Sequence, residues 1–260
     1  MSFSQKIVWI TDTHITESGT VEGVACHTRL RQLVEQVNRY HGDADCCVAS
    51  GDLTDLGAPG EYAAFHRLTQ DLSIPLLPMI GNHDKRPAFL QAMPQPGVQM
   101  PGFAQFRYDL PEVSLLCLDT HIAGDDGGAL DDARLGWLAE QLRQTRDRSV
   151  LVFAHHPPGP LGLGKLDEMP LYRHEPLIDL LASASQPLHL CCGHVHRPLS
   201  GTFKKVPFTT LRALAHQTLP PQKHWDWDDF VARDERPQYG VILIGSGQIV
   251  IQMHDLEDAA

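Results

Sequence analysis

The sequence predicts an α/β fold of two packed mixed sheets with helices outside, and three observations carry that prediction. Five apolar runs, Ile7 to Ile10, Cys46 to Ala49, Ile74 to Ile80, Val150 to Ala154 and Leu188 to Cys192, each end in a polar cluster rich in Asp, Asn or His. Helical patterns alternate with the first of these runs, so the first half reads βαβαβ, a largely parallel sheet with right-handed crossovers. The strand signals then outnumber what one sheet comfortably holds.

Taken in order, strand signals fall near 6–12, 44–50, 74–80, 105–110, 113–119, 149–155 and 187–193, then near 201–213, 239–245 and 248–254. Thr28 is the expected N-cap of a first helix carrying Leu30, Leu33, Val34 and Val37 at helical spacing. A second helix runs from about Pro59 to Leu72, with proline in the first turn. Asp131 opens a third that buries Leu135, Trp137, Leu138 and Leu142, and Pro176 begins a fourth through Leu181. The later strands follow one another closely and read as antiparallel, with a hairpin at Gly245-Ser246-Gly247. Two stretches fit no regular element. Pro157 to Arg173 is rich in Pro and Gly, and Pro220 to Pro237 sets Trp225, Trp227 and Phe230 among charges. Both follow site clusters and are candidate substrate walls, with plain surface connection the other reading, evenly balanced for the second. The second is equally a candidate cap or subunit contact in a homodimer or higher homo-oligomer.

A chain of 260 residues can bury one large core, so a single domain over 1–260 is expected. No apolar run approaches the ~20 residues of a membrane span, and no basic-then-apolar leader precedes Lys6, which points to the cytoplasm. The vicinal pairs Cys46-Cys47 and Cys191-Cys192 lie inside strands, where neighbours point to opposite faces; buried reduced thiols are expected. A net charge of −11 without a basic stripe argues against a nucleic-acid polymer as partner. It does not exclude a small phosphate ester, because bound divalent ions dominate their local field.

The clusters are Asp12-Thr13-His14, Gly51-Asp52-Leu53-Thr54-Asp55, Gly81-Asn82-His83-Asp84, His155-His156-Pro157 and Gly193-His194-Val195-His196. Six of the fifteen histidines fall inside them, which surface drift does not explain. Asp12 and His14, like His194 and His196, are two apart and in extended backbone reach one ion together. Asp52 has two oxygens, one for each of two metals, while Asp55 suits a local backbone hydrogen bond. Asn82 offers a neutral amide oxygen. His83 beside it is placed to face a phosphoryl group, with Asp84 orienting the ring. Only one of His155 and His156 can point at the metals. Each cluster alone is a weak signal; five in this order at strand ends make a two-metal phosphoesterase site the expectation.

These motifs resemble the calcineurin-like metallophosphoesterase superfamily, and most of all its class III cyclic nucleotide phosphodiesterases and glycerophosphodiesterases. The pattern spans residues 12 to 196. The resemblance implies a four-layer αββα sandwich. It implies one metal held by Asp12, His14, Asp52 and His196, and a second held by Asp52, Asn82, His155 and His194. It makes His155, not His156, the ligand, and suggests that His216, in a His-Gln pair, contacts substrate together with Asn82 and His83. His83 and Asp84 are the catalytic candidates. Hydrolysis of a cyclic nucleotide or glycerophosphodiester by a metal-bridging hydroxide is the expected reaction. Phosphomonoesterase or pyrophosphatase activity on the same metals is the alternative, and a non-catalytic scaffold is disfavoured by the complete ligand set. Mixed N/O ligands accept Mn, Fe, Zn or Co.

Overall fold

A computed structural model describes residues 3–220, 226–245 and 247–257. It contains β1 (Gln5–Ile10), α1 (Cys26–His41), β2 (Cys46–Ser50), α2 (Pro59–Thr69), β3 (Leu76–Met79), α3 (Arg86–Ala92), β4 (Val98–Gln99), β5 (Phe106–Asp109) and β6 (Val113–Leu118). Then follow α4 (Asp132–Gln144), β7 (Ser149–Ala154), α5 (Glu175–Ser183), β8 (Leu188–Cys192), β9 (Ser200–Phe203), β10 (Val206–Thr210), β11 (Gln238–Gly245) and β12 (Gln248–Asp255). The strands form a five-stranded sheet in the order β12-β11-β1-β2-β3 and a seven-stranded sheet in the order β4-β5-β6-β7-β8-β10-β9.

The period of two along each strand builds the layers. Ile7 and Trp9 on β1, Cys46 and Val48 on β2, Leu151 and Phe153 on β7 and Cys191 on β8 share one buried cluster between the sheets. Their neighbours Val8, Ile10, Cys47 and Ala49 turn the other way and pack with Leu30, Leu33 and Val37 of α1 and Phe65 of α2. Val150, Val152, Leu190 and Cys192 likewise pack with Leu138 of α4 and Leu177 and Leu181 of α5. Both faces of the central strands are covered, so their sequences read as unbroken apolar runs. All six cysteines are buried free thiols, the vicinal pairs split between layers.

Several details differ from expectation. Helix α1 begins at Cys26 behind Ala25, which makes no side-chain cap, so Thr28 lies within its first turn. Helix α3 buries only Phe89 and is too short to show a helical period. The region near 201–213 is two strands, and β10 runs parallel to β8 because β9 sits outside it as the edge. Strands β11 and β12 pair antiparallel as predicted, although Ser246 of their turn lies outside the described residues.

Strands β1 to β3 and β6 to β8 are parallel within their sheets, with β10 parallel to β8, so their carboxyl-terminal loops gather on one rim. The sheets are stitched there. The His194 amide donates to both Asp12 oxygens at 3.0 and 3.1 Å, and the His155 ring donates from Nδ1 to the Ser50 carbonyl at 3.0 Å. A rim where strand ends converge is where ligands collect in such sheets.

Candidate metal centre

The residues of the clusters leave regular strands before the site begins. Asp12, His14, Asp52, His194 and His196 all have positive φ, between 41° and 70°. The expectation that Asp12 and His14, or His194 and His196, act together through extended backbone is therefore corrected. Left-handed turns aim them, and the turns are tied by Asp12 N to Gly51 O at 3.1 Å and His14 N to Asp52 O at 3.0 Å. Non-glycine residues pay for such φ values with strain, which concentrates at functional sites. Neighbouring glycines admit the close approach: a Cβ on Gly51 would meet His155 Nδ1 at 2.4 Å, and one on Gly193 would meet Thr11 Oγ1 at 2.1 Å.

Four histidines are held by one ring nitrogen and present the other to a common centre. The Nδ1 of His155 meets the Ser50 carbonyl at 3.0 Å, that of His196 meets the His216 carbonyl at 2.7 Å, and that of His14 meets Asp55 Oδ1 at 3.3 Å. His194 is held through Nε2 on the Met169 carbonyl at 2.9 Å. These contacts fix ring orientation and tautomer, as oxygen partners commonly do for metal-binding imidazoles. The remaining nitrogens converge: His14 Nε2 lies 3.1 Å from His196 Nε2, while Asn82 Oδ1 lies 3.1 Å from His155 Nε2 and 3.0 Å from His194 Nδ1.

The two carboxylates sit among these nitrogens. Asp52 Oδ2 is 3.2 Å from His155 Nε2 and 3.6 Å from His14 Nε2. Asp52 Oδ1 instead accepts the His83 amide at 2.9 Å, so a single oxygen faces both halves, not one oxygen each as expected. Asp12 Oδ1 is 3.4 Å from His196 Nε2 and 3.8 Å from His155 Nε2. Burial opposes charge on both, yet His196 and His155 beside Asp12, and His155 and His83 beside Asp52, hold both carboxyls below the usual range. Burial likewise works against the His155 imidazolium, but Asp52 and Asp12 outweigh it and raise that group to about 9.

The donor set fits divalent ions. With both Nδ1 atoms donating, the Nε2 lone pairs of His14 and His196 face each other, and with Nε2 of His194 donating to Met169 its Nδ1 lone pair faces the Asn82 oxygen. A cation relieves both repulsions. Asp12, His14 and His196 form one group of convergent donors, and Asp12, Asp52 and His155 another, each within 4.8 Å. Imidazole nitrogen with carboxylate and amide oxygen is ordinary first-row divalent metal chemistry.

Around this centre the remaining candidates separate. His156 is buried with both nitrogens engaged, Nδ1 with Thr120 Oγ1 at 2.7 Å and Nε2 with the Asp126 carbonyl at 3.1 Å. His83 is exposed, and its Nδ1 meets the Asp55 carbonyl at 2.8 Å. Asp84 does not touch it: that expectation is corrected. Asp84 accepts from the amides of Leu53, Thr54 and Gly81 and from the hydroxyls of Thr54 and Tyr62, bracing the turns after β2 and β3 from behind. Burial, and then Asp52, raises its carboxyl to about 6 despite these donors. The Asp55 side chain holds His14 instead of local backbone, a role its sequence position hides. His216 packs beside both His14 and His196 with tilted rings, centroids 5.6 and 4.8 Å away, and its buried Nδ1 has no partner. Burial pushes it down to about 2.

A cavity of about 450 Å³ opens over the centre. His14, Asp52, Asn82, His83, His194, His196 and His216 line its floor. Leu166 and Met169 come from the first irregular stretch, and Trp227 and Phe230 from the second, so both stretches wall it. Trp225 lies outside the described residues. No described helix is long and apolar enough to cross a membrane.

The sequence profile described as calcineurin-like phosphoesterase matches residues 5–198. Members of that family use divalent metal ions. Over 253 residues the chain is 33% identical to a probable cyclic nucleotide phosphodiesterase of Rhodopseudomonas palustris, covering 95% of this chain and 90% of that one. It is 31% identical to a probable glycerophosphodiester phosphodiesterase of Arcobacter nitrofigilis, with 81% and 79% covered. It is 29% identical to the 3′,5′-cyclic adenosine monophosphate phosphodiesterase of Escherichia coli K12, with 97% and 90% covered. Among solved structures, a dimetal phosphatase from Danio rerio superposes with TM-score 0.74 at 16% identity, covering 98% of this chain and 100% of that one, which speaks to the fold.

Proposed function

The chain belongs to the calcineurin-like phosphoesterase family and is a hydrolase of phosphoric esters, and we propose that it cleaves small phosphodiesters on two divalent ions. The observation that carries the diester reading is the charge of the cavity. Among the described residues its lining includes Glu22, Asp55 and Asp126 but no lysine or arginine. A monoester dianion gains more from a lysine or arginine clamp than a diester does, because the diester carries one charge less. The phosphodiesterase names of the sequence relatives, for cyclic nucleotides and for glycerophosphodiesters, support the same class.

In this proposal Asp12, His14, Asp52 and His196 hold one ion, and Asp52, Asn82, His155 and His194 the other. When bound, the ions supply Lewis acidity toward phosphoryl oxygens and lower the pKa of water. The chain's own residues do the rest. Asp52 Oδ2 joins the two halves, and the oxygens of Ser50, Asp55, Met169 and His216 keep the four imidazoles in register. His83, anchored through Nδ1, keeps Nε2 for the substrate. Partial desolvation of its ring disfavours the His83 imidazolium, but Asp52 and the Asp55 carbonyl outweigh that, so it can donate to a phosphoryl or departing oxygen. Asn82 and His216 contact the ester beside it, and Asp84 keeps the turns rigid. The bond from water oxygen to phosphorus forms as the bond to the departing alcohol breaks.

Comparing bis(p-nitrophenyl) phosphate with p-nitrophenyl phosphate on the metal-loaded protein tests this. The diester should have the higher kcat/KM by about tenfold or more. A preference for the monoester would replace the reading with a phosphomonoesterase.

A further inference from the structure

The cavity has a wall that the metal-binding turns do not supply. Residues 217–220 leave the rim after His216, and residues 226–236 return carrying Trp227 and Phe230. Phe230 packs at 6.1 Å from the His216 ring and joins the small apolar cluster of Leu163, Leu166 and Val195. The outgoing and returning limbs meet at one reciprocal backbone pair, Gln217 N to Arg233 O at 2.8 Å and Arg233 N to Gln217 O at 2.9 Å. Two such bonds are a weak tether, since each replaces a bond to water.

The stronger tether is Arg197, the residue after His196. Its guanidinium forks onto both oxygens of Glu235 at 2.8 Å each, and its Nη2 also reaches the Thr218 carbonyl. One side chain thus grips both limbs at once. Arg29 adds contacts to Asp234 and to the Glu235 carbonyl, and Arg212 lies 3.9 Å from the Glu235 carboxylate. The Arg197 side chain is 12% exposed and that of Glu235 34%, so the fork is only partly open to screening. Neither residue lines the cavity. Their geometry joins the backbone that presents His196 to the backbone that presents Phe230.

We propose that Arg197 and Glu235 are a positioning pair that sets which second arm of a diester the cavity accepts, by holding the Trp227 and Phe230 wall at a fixed distance from the metal-binding turns. This rests on the phosphodiesterase reading and names the arm: a flat aromatic or heteroaromatic group, since two aromatic side chains and the apolar Leu166 and Met169 form the surface it meets.

The test compares two diesters with the same leaving group, bis(p-nitrophenyl) phosphate and methyl p-nitrophenyl phosphate, on metal-reconstituted protein. In Glu235→Gln and Arg197→Lys, KM for the aryl diester should rise about tenfold while kcat stays within about twofold, the pattern of lost uniform binding. KM for the methyl diester and bound metal per chain should not change. Phe230→Ala should reproduce that split without touching the pair, and the charge swap Arg197→Glu with Glu235→Arg should recover part of the aryl preference. Two KM values that move together, or a lost metal, would reduce the pair to general support of the fold and overturn the proposal alone. A protein that hydrolyses neither diester overturns the phosphodiesterase reading and the proposal with it.

Discussion

His14 Nε2 and His196 Nε2 face each other at 3.1 Å, while the Nδ1 of each ring is taken by an oxygen, Asp55 Oδ1 and the His216 carbonyl respectively. Neither ring has a proton to offer the other in its neutral form. One imidazole comes from the turn after β1 and the other from the turn after β8, in different sheets. The fold therefore brings two acceptors together where a bound cation reconciles them. Asp12 Oδ1, 3.4 Å from His196 Nε2, adds negative charge to the same place.

Asp52 should matter most to metal retention, because its Oδ2 faces both His155 and His14. Asp52→Ala removes the shared carboxylate and leaves two cations without a bridge. At least one metal per chain should be lost, with turnover down by about a thousandfold or more. Elemental analysis and diester kinetics on one preparation check it; two retained metals and normal turnover would refute the shared role.

The adjacent histidines of the fourth cluster should behave differently. His155→Ala should lower metal occupancy. His156→Ala should leave occupancy unchanged and lower stability by about 1–3 kcal/mol, since it breaks buried bonds to Thr120 and Asp126. Metal content with urea unfolding of both variants decides it, and the reverse pattern would exchange their roles.

His216→Ala should keep both metals and the fold yet slow diester turnover, because its buried Nδ1 is unpartnered at the cavity floor while its backbone carbonyl, untouched by the substitution, still holds His196. Unchanged kinetics on every diester that the protein cleaves would make it a packing residue.

Much of this site was legible because strand-end clusters survive as contiguous sequence. The apolar runs before Asp12, Asp52, His155 and His194 are buried on both faces, so they needed no alternation to be recognised. What could not be read was backbone. The left-handed turns at Asp12 and His14 leave no trace in residue spacing. The carbonyls of Ser50, Met169 and His216 hold rings without any side-chain signal. The direction of Asp84 is hidden too: next to His83 in sequence, its side chain points behind the turn into Tyr62 and Thr54. The wall tether of Arg197 and Glu235 joins residues 38 apart, which no local pattern reveals.

A pH effect should arise away from the metals. His189 is kept neutral by burial, which lowers its pKa from 6.5 to about 4, and its Nε2 meets Thr209 Oγ1 at 2.9 Å. The unfolded chain takes up a proton between pH 6.5 and 4 that the folded chain refuses. Stability is therefore full above 6.5 and falls as pH drops through that window, by about 3 kcal/mol for this group. His189→Gln should remove most of that slope. Urea unfolding of both proteins at pH 7 and 4.5, in chelator throughout, isolates the difference; equal slopes would contradict the buried neutral ring.

The central claim is that two ions on this rim cleave a phosphodiester. The most direct measurement follows turnover of bis(p-nitrophenyl) phosphate as Mn²⁺ is returned to chelator-stripped protein, against bound metal per chain. Turnover should be absent at the start and reach its maximum as occupancy approaches two. Full turnover without metal, or two bound ions without diester cleavage, would contradict the account.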